Sequence, residues 1–480
     1  MDRPSALDLA FVDLETPQAP LHVGWTLRFG GAPVSVAALR RHLDARLGSV
    51  PRFRRRLVGG LWVDDVRFDL ARHVFGVSVP APGGPDALRE VAGALLSRPL
   101  PADRPLWRLY VVDGFADDSW AIVGQAHHAL VDGIAAIEVA LLLFGPEARG
   151  DCEGGGAGAW TPSPPPGAGT ALRSMAGTRV RAATGAVREL AGAMWDAGAH
   201  PDSGARATEV LRTAARAVEA VTAREPATSL ERSVTARRAV AFADVPLDVV
   251  RAAGARRGAT VNDVLLAATS IALRAALRRR GECPAGVRAL VPVNVRGHDG
   301  GDAVGNAISF LPVELPVGEP EPDRVLAEVH ARTTTAKAGG DAAALQALGR
   351  AADALPGAGR RAVARVAVRA VPFTLVVSNV PGPPVTLELL GRPLRSVHPM
   401  VPLLHGHALT VGAVSYEGRL HVGLAADAEV VPDVVQLARD LEAAFGALNA
   451  APRAVRPGGD VPWRTRARAR RAGGQRAANR

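Results

Sequence analysis

The sequence predicts a mixed α/β protein of two comparable halves around a linker, and three observations carry that expectation. At 480 residues the chain exceeds the size at which a single core stops growing, about 250–300 residues. Segments with helical spacing alternate with short β-branched runs. Residues 150–169 hold a glycine run at 154–156 and Pro162, Pro164, Pro165 and Pro166, which no regular element tolerates.

In the first half, Val36 to Leu47 reads as an amphipathic helix because Leu39, Leu43 and Leu47 recur at i, i+4, i+8. Ala87 to Leu96 reads as another. Leu106 to Val112 and Trp120 to Ala126 are strands, rich in β-branched and aromatic residues, with the turn Gly114-Phe115-Ala116-Asp117-Asp118 between them. Ile134 to Phe144 is an apolar helix stopped by Gly145-Pro146. Residues 1–150 form the first domain and 151–235 the linker, whose Ala/Arg-rich stretch 171–225 reads as solvated helices broken at Gly198-Ala199-His200-Pro201.

The second domain, 236–450, begins with the strand Val240-Ala241-Phe242 and the helix Leu247 to Arg256. The longer helix Thr260 to Leu277 follows. Strands are expected at Val287 to Val295, Ala307 to Leu315, Thr374 to Ser378, Ala408 to Tyr416 and Arg419 to Leu424, then a last helix at Val434 to Leu448. Residues 451–480 read as a disordered basic tail.

Composition narrows the function. Hydrophobic content of 48% with 22% charged residues suits a folded chain with sizeable cores. The net charge of +10 does not point to nucleic acid: Lys337 is the only lysine, so arginine has replaced lysine throughout. Much of the excess also sits in the tail, at Arg464, Arg466, Arg468, Arg470, Arg471, Arg476 and Arg480. An acidic membrane surface or a phosphate-bearing ligand is the better anionic partner. Cys152 and Cys283 lie far apart and give no disulfide framework, as expected in a reducing cytoplasm. No secretory signal is apparent, and no stretch reaches the ~20 apolar residues that span a bilayer. The expected location is cytoplasmic, with any membrane contact peripheral.

The stretch that carries chemistry is Gln125-Ala126-His127-His128-Ala129-Leu130-Val131-Asp132-Gly133, an H-H-x-x-x-D-G pattern at the end of a strand. An imidazole accepts a proton near neutrality without special tuning. Irregular chain after the strand sets His128 at the mouth of a cleft, and alternation turns His127 to the other face. A plainer account is a packed histidine pair with Asp132 capping a helix that starts at Gly133. The full spacing favours His128 as a general base. No G-x-S-x-G elbow exists and neither cysteine has a histidine nearby in sequence, so no acyl-enzyme is suggested.

Further segments make the pattern specific. They are Leu7-Asp8-Leu9-Ala10-Phe11, Glu15-Thr16-Pro17, Leu21-His22-Val23-Gly24, Pro105-Leu106-Trp107 and Gly258 to Ala267 with Asn262-Asp263. Val291-Pro292-Val293-Asn294-Val295-Arg296, Gly305-Asn306 and Ser378-Asn379-Val380-Pro381-Gly382-Pro383 complete the set. In this order, across roughly residues 5 to 445, the chain resembles the bacterial wax ester synthase/diacylglycerol O-acyltransferase family of the CoA-dependent acyltransferase superfamily.

The resemblance implies an α/β fold of two chloramphenicol-acetyltransferase-like domains with the active-site channel between them. It implies acyl-CoA as co-substrate, diacylglycerol or a fatty alcohol as acceptor, no further cofactor, no metal, and work at a membrane or lipid-droplet surface. His128 would be the base, His127 and Gly133 its neighbours in the motif, and Asp132 a structural residue paired with an arginine. Arg296 is the candidate partner, or else a surface arginine at a strand end. Asn262 and Asp263 either cap a helix or also shape the channel, with Asn262 a candidate oxyanion donor. Pro105, Leu106 and Trp107 read as packing that also sets acyl-chain room. His398, His405, His407 and His421 lack a Cys or carboxylate at metal-site spacing and read as channel lining or surface. Gln125 stands where relatives are often basic, and Ala307 where a larger polar residue is common. A condensation-type enzyme using a carrier-protein thioester and a non-catalytic lipid-binding protein are the rival readings.

Overall fold

The computed structural model describes residues 4–131, 139–140, 160–163, 228–294, 308–338 and 372–450. Asp132, Gly133, Arg296, Gly305-Asn306, Ala307, Cys152, most of the expected helix 134–144, nearly all of the linker and the tail lie outside the described residues. Among the described residues, no helix is long and apolar enough to cross a membrane.

In chain order, helix α1 (Ala6–Leu14) leads to β1 (His22–Gly30), α2 (Val36–Arg46), β2 (Arg55–Val58), β3 (Leu61–Asp64) and β4 (Val74–Ser78). Then come α3 (Ala87–Leu96), β5 (Trp107–Asp113) and β6 (Ser119–His127). The second half holds β7 (Arg238–Pro246), α4 (Leu247–Ala255), α5 (Val261–Arg279), β8 (Val287–Asn294), β9 (Ile308–Leu315) and α6 (Pro322–Ala338). Last are β10 (Leu375–Val380), β11 (Glu388–Leu389), β12 (Arg392–Met400), β13 (Leu409–Tyr416), β14 (Arg419–Asp427) and α7 (Val434–Asn449).

Two six-stranded sheets organise these elements, in the orders β11-β12-β1-β6-β5-β4 and β7-β14-β13-β10-β8-β9. The first sheet is not closed by its own half. β12, from the far end of the chain, pairs antiparallel with β1 and places Val397 opposite Leu27 and His398 opposite Thr26. It also lies over the second sheet, where a Cβ on Gly423 of β14 would stand 2.0 Å from the carbonyl oxygen of Pro399. Glycine at 423 is what lets the crossing backbone approach that closely.

Burial follows from this arrangement. β6 is buried along its whole length after Ser119 because β1 and β5 flank it. On β14, eight consecutive residues from Leu420 to Asp427 are buried, the pattern of a strand covered on both faces. Helices α4, α5 and α7 pack on the second sheet, and Val264, Leu265, Leu266, Leu273 and Leu441 of its core are at most 1% exposed. Helix α5 begins where its capping box dictates: Thr260 Oγ1 accepts from Asp263 N–H and the Asp263 carboxylate accepts from Thr260 N–H.

Arg238 ties the two halves at the start of β7. Its backbone N–H donates to Ser97 Oγ at 2.8 Å and its guanidinium to Gln18 O at 2.6 Å. Burial pushes the guanidinium down to about 10, against the opposing pull of Asp427.

Candidate active site

β6 carries the pair of histidines to the seam between the sheets. His127 is its last residue and His128 the first beyond it, where the chain turns. The N–H of His128 donates to Leu21 O at 2.9 Å, and that of His127 to Leu106 O at 2.9 Å. The turn is therefore held on both sides by neighbouring chain.

The two rings have different surroundings. His127 is 1% exposed; its Nδ1 accepts from Ala129 N–H at 3.0 Å, so in the neutral ring the proton sits on Nε2. That nitrogen faces Glu15 Oε2 at 3.5 Å, long for a hydrogen bond and close enough for charge attraction. Glu15 Oε1 accepts from Leu21 N–H. Burial pushes the Glu15 carboxyl up, but His127 and the Leu21 amide outweigh it and leave the group below its usual value. His128 is half-buried, and Phe11 of α1 stacks on its ring.

His128 lines an apolar cavity of about 310 Å³. The first sheet contributes Val23, Leu27, Trp107 and Val397 to its wall, and the second contributes Val293, Phe310, Val376 and Ala413. The few polar side chains in the lining are His128, Gln125, Ser378 and Asn379. Gln125 is fully buried, with its amide nitrogen donating to Leu95 O and Arg98 O. Ser378 and Asn379 sit near the end of β10, where Gly382 fits because a Cβ there would meet Ser415 O at 1.7 Å.

Of the remaining sequence candidates, Trp107 lines the cavity, with its indole N–H held by Phe53 O at 2.7 Å. Pro105 and Leu106 are buried beside it and do not line the cavity. His73 stacks on Trp107 and donates from Nδ1 to its carbonyl. Burial pushes that ring down to about 4. Neither Asn262 nor Asp263 lines the cavity. Asp263 is spent on the α5 cap and on Thr333 Oγ1 and His330 Nδ1 of α6, at 2.7 and 3.0 Å. Asp132, Gly133 and Arg296 lie outside the described residues.

The histidine group divides as well. His398 and His421 are 5% and 1% exposed and contact Asp244, so the surface-or-lining expectation fails for both. The carboxylate partner sits 154 residues from His398, beyond the reach of any spacing pattern. Phe11, Glu15, Ser378 and Asn379 are the site residues that reasoning from spacing did not assign. All four lie in segments singled out by the resemblance.

Comparison with known proteins identifies the family. Residues 5–265 match the wax ester synthase/diacylglycerol acyltransferase catalytic domain, and residues 304–449 match the WS/DGAT C-terminal domain. The "Probable diacyglycerol O-acyltransferase tgs1" of Mycobacterium tuberculosis (strain H37Rv) is 32% identical, over 94% of this chain and 96% of that protein. The O-acyltransferase WSD of Acinetobacter baylyi is 27% identical, over 91% and 94%. Among solved structures, the wax ester synthase/diacylglycerol acyltransferase of Marinobacter aquaeolei VT8 is similar in fold, with a TM-score of 0.64 at 24% identity, covering 93% of this chain and 98% of that one. The first condensation domain of the CDA synthetase has a TM-score of 0.54 at 17% identity, covering 94% and 97%.

Proposed function

The chain belongs to the wax ester synthase/diacylglycerol acyltransferase family, and from that premise we propose that it moves a fatty acyl group from acyl-CoA to the hydroxyl of diacylglycerol or a long-chain alcohol. The observation that carries the reading is the position of His128, half-buried on the wall of an apolar cavity that both sheets line.

His128 takes the proton from the acceptor hydroxyl as its oxygen attacks the thioester carbonyl. The new C–O bond forms, the C–S bond breaks, and the departing sulfur receives the proton from the imidazolium. General-base help is worth about 10²–10⁴-fold. Negative charge develops on the carbonyl oxygen, and Ser378 and Asn379, polar side chains of the cavity lining, are the proposed donors to it. The apolar walls hold the acyl chain, at roughly 0.8 kcal/mol per buried methylene. Asp132 and Arg296 remain the proposed structural pair near the base. The reaction as written uses no group beyond acyl-CoA, and its greasy substrates place the work at a membrane or lipid-droplet surface.

The test is incubation of purified protein with labelled palmitoyl-CoA, diacylglycerol and hexadecanol, with the lipid products separated. Triacylglycerol or wax ester is expected from the wild type and neither from His128→Ala with an unchanged folded signal. Full activity in His128→Ala would overturn the base assignment. Acyl transfer from a carrier-protein thioester in preference to acyl-CoA would favour condensation-type chemistry.

A further inference from the structure

Outside the lining of the acyl cavity, three strands bring two imidazoles and a carboxylate to one point. Asp244 of β7 and His421 of β14 are directly opposite in register. His398 reaches them from β12, a strand of the other sheet. Asp244 Oδ1 lies 3.0 Å from His398 Nε2 and 2.5 Å from His421 Nδ1. The two rings are edge to face, 84° apart, so their nitrogens converge on the carboxylate instead of stacking.

We propose that Asp244, His398 and His421 form a binding site for a divalent transition-metal ion, with zinc(II) the fitting occupant, that fastens β12 to the second sheet. It is independent of the acyl-transfer reading. The ligand atoms lie within 4.8 Å of one another, and no other such grouping of three occurs among the described residues. Two imidazoles and a carboxylate suit zinc and its neighbours in the first transition row over magnesium or calcium. Tetrahedral zinc keeps its ligand atoms about 3.3 Å apart, so the carboxylate has to back away by less than about 1 Å. Asp244 has that freedom, being 35% exposed at its side chain where the two rings are 6% and 2% exposed. The same exposure admits the ion and a water as fourth ligand.

The surroundings favour occupancy. The Glu442 carboxylate accepts from Asp244 N–H at 3.1 Å and adds negative charge beside the site. Arg419, whose guanidinium donates to Asp244 O, and Arg28, which acts on His398 through its charge, set the opposing field. Phe242 packs on His398 and fixes its ring.

The test strips the full-length protein with a chelator and dialyses it against micromolar zinc chloride. Expected are about one zinc per chain by elemental analysis, a higher melting temperature with zinc, and X-ray absorption showing two imidazoles in the first shell. His398→Gln and His421→Gln should each lose the ion and the thermal shift, while His405→Gln, at an exposed histidine, keeps both. Cobalt(II) in the wild type should give the visible bands of a four-coordinate site, which keeps the test open if either variant fails to fold. No zinc uptake by the stripped wild type, uptake unchanged in both variants, or a shell without two imidazoles would overturn the proposal.

Discussion

Phe11 covers the flat face of the His128 ring, with centroids 4.0 Å apart and planes 15° from parallel. The contact sets the ring's tilt and keeps water off one side of it. Phe11→Ala should therefore lower kcat by about 10-fold or more through loose positioning, with a smaller change in KM. Phe11 is 8% exposed, so the same change should cost about 3 kcal/mol of stability in denaturant titration. Phe11→Leu should recover most of the stability and less of the rate.

Glu15 supports the same turn from below. It links Leu21 N–H, whose carbonyl holds His128 N–H, to the His127 ring. Glu15→Ala should reduce kcat by about 10²-fold while leaving acyl-CoA binding nearly intact, measured as a kcat-against-KM split.

Two buried rings set an acid limit on the fold. Burial pushes His22 and His73 down to about 4 from 6.5, against backbone hydrogen bonds that act the other way. Between those values the unfolded chain binds more protons than the folded one, so stability rises with pH. It should be complete above about pH 6.5 and fall as pH drops toward 4, by about 3 kcal/mol per ring. The melting temperature against pH reads this directly, and the double variant His22→Gln/His73→Gln should show a flatter profile. The lowered carboxyl of Glu15 adds its loss later, below its ordinary value of 4.5.

Gly423→Ala tests the crossing of β12. The added methyl would stand 2.0 Å from Pro399 O, so the strand has to lift. A destabilisation of about 1–3 kcal/mol is expected. Val397 and Pro399 of the same strand line the cavity, so the acyl-chain profile should shift with it. An unchanged profile would show that the wall does not move.

Ala413→Leu fills part of the cavity from the second sheet. The expected result is a preference for shorter acyl donors, read as the ratio of kcat/KM between chain lengths, each excluded methylene counting roughly 0.8 kcal/mol.

Helices α2, α3, α4, α5 and α7 and most of the second sheet were readable in the sequence, while α1 and α6 were not. α2 shows its apolar stripe at Leu39 and Leu43, and α5 shows its start at Thr260 and Asp263. β12 was not. Its sequence, Arg-Pro-Leu-Arg-Ser-Val-His-Pro-Met, holds two prolines and no clean alternation, because it serves two sheets at once. β1 also escaped, its glycine and histidine drawing notice as a motif and hiding a strand. The site divided in the same way. His128 is visible because its motif is local. Ser378 and Asn379 reach the cavity only through sheet pairing, and Asp244 reaches His398 only because β12, paired in the first sheet, crosses over the second.

That borrowed strand also dictates an order of events during synthesis. β1 leaves the ribosome hundreds of residues before the segment that will occupy its outer edge, and until then its N–H and C=O groups stand open to any extended chain. The N-terminal half consequently cannot finish folding alone, and a fragment ending short of residue 392 should aggregate unless the missing strand is supplied as a separate peptide.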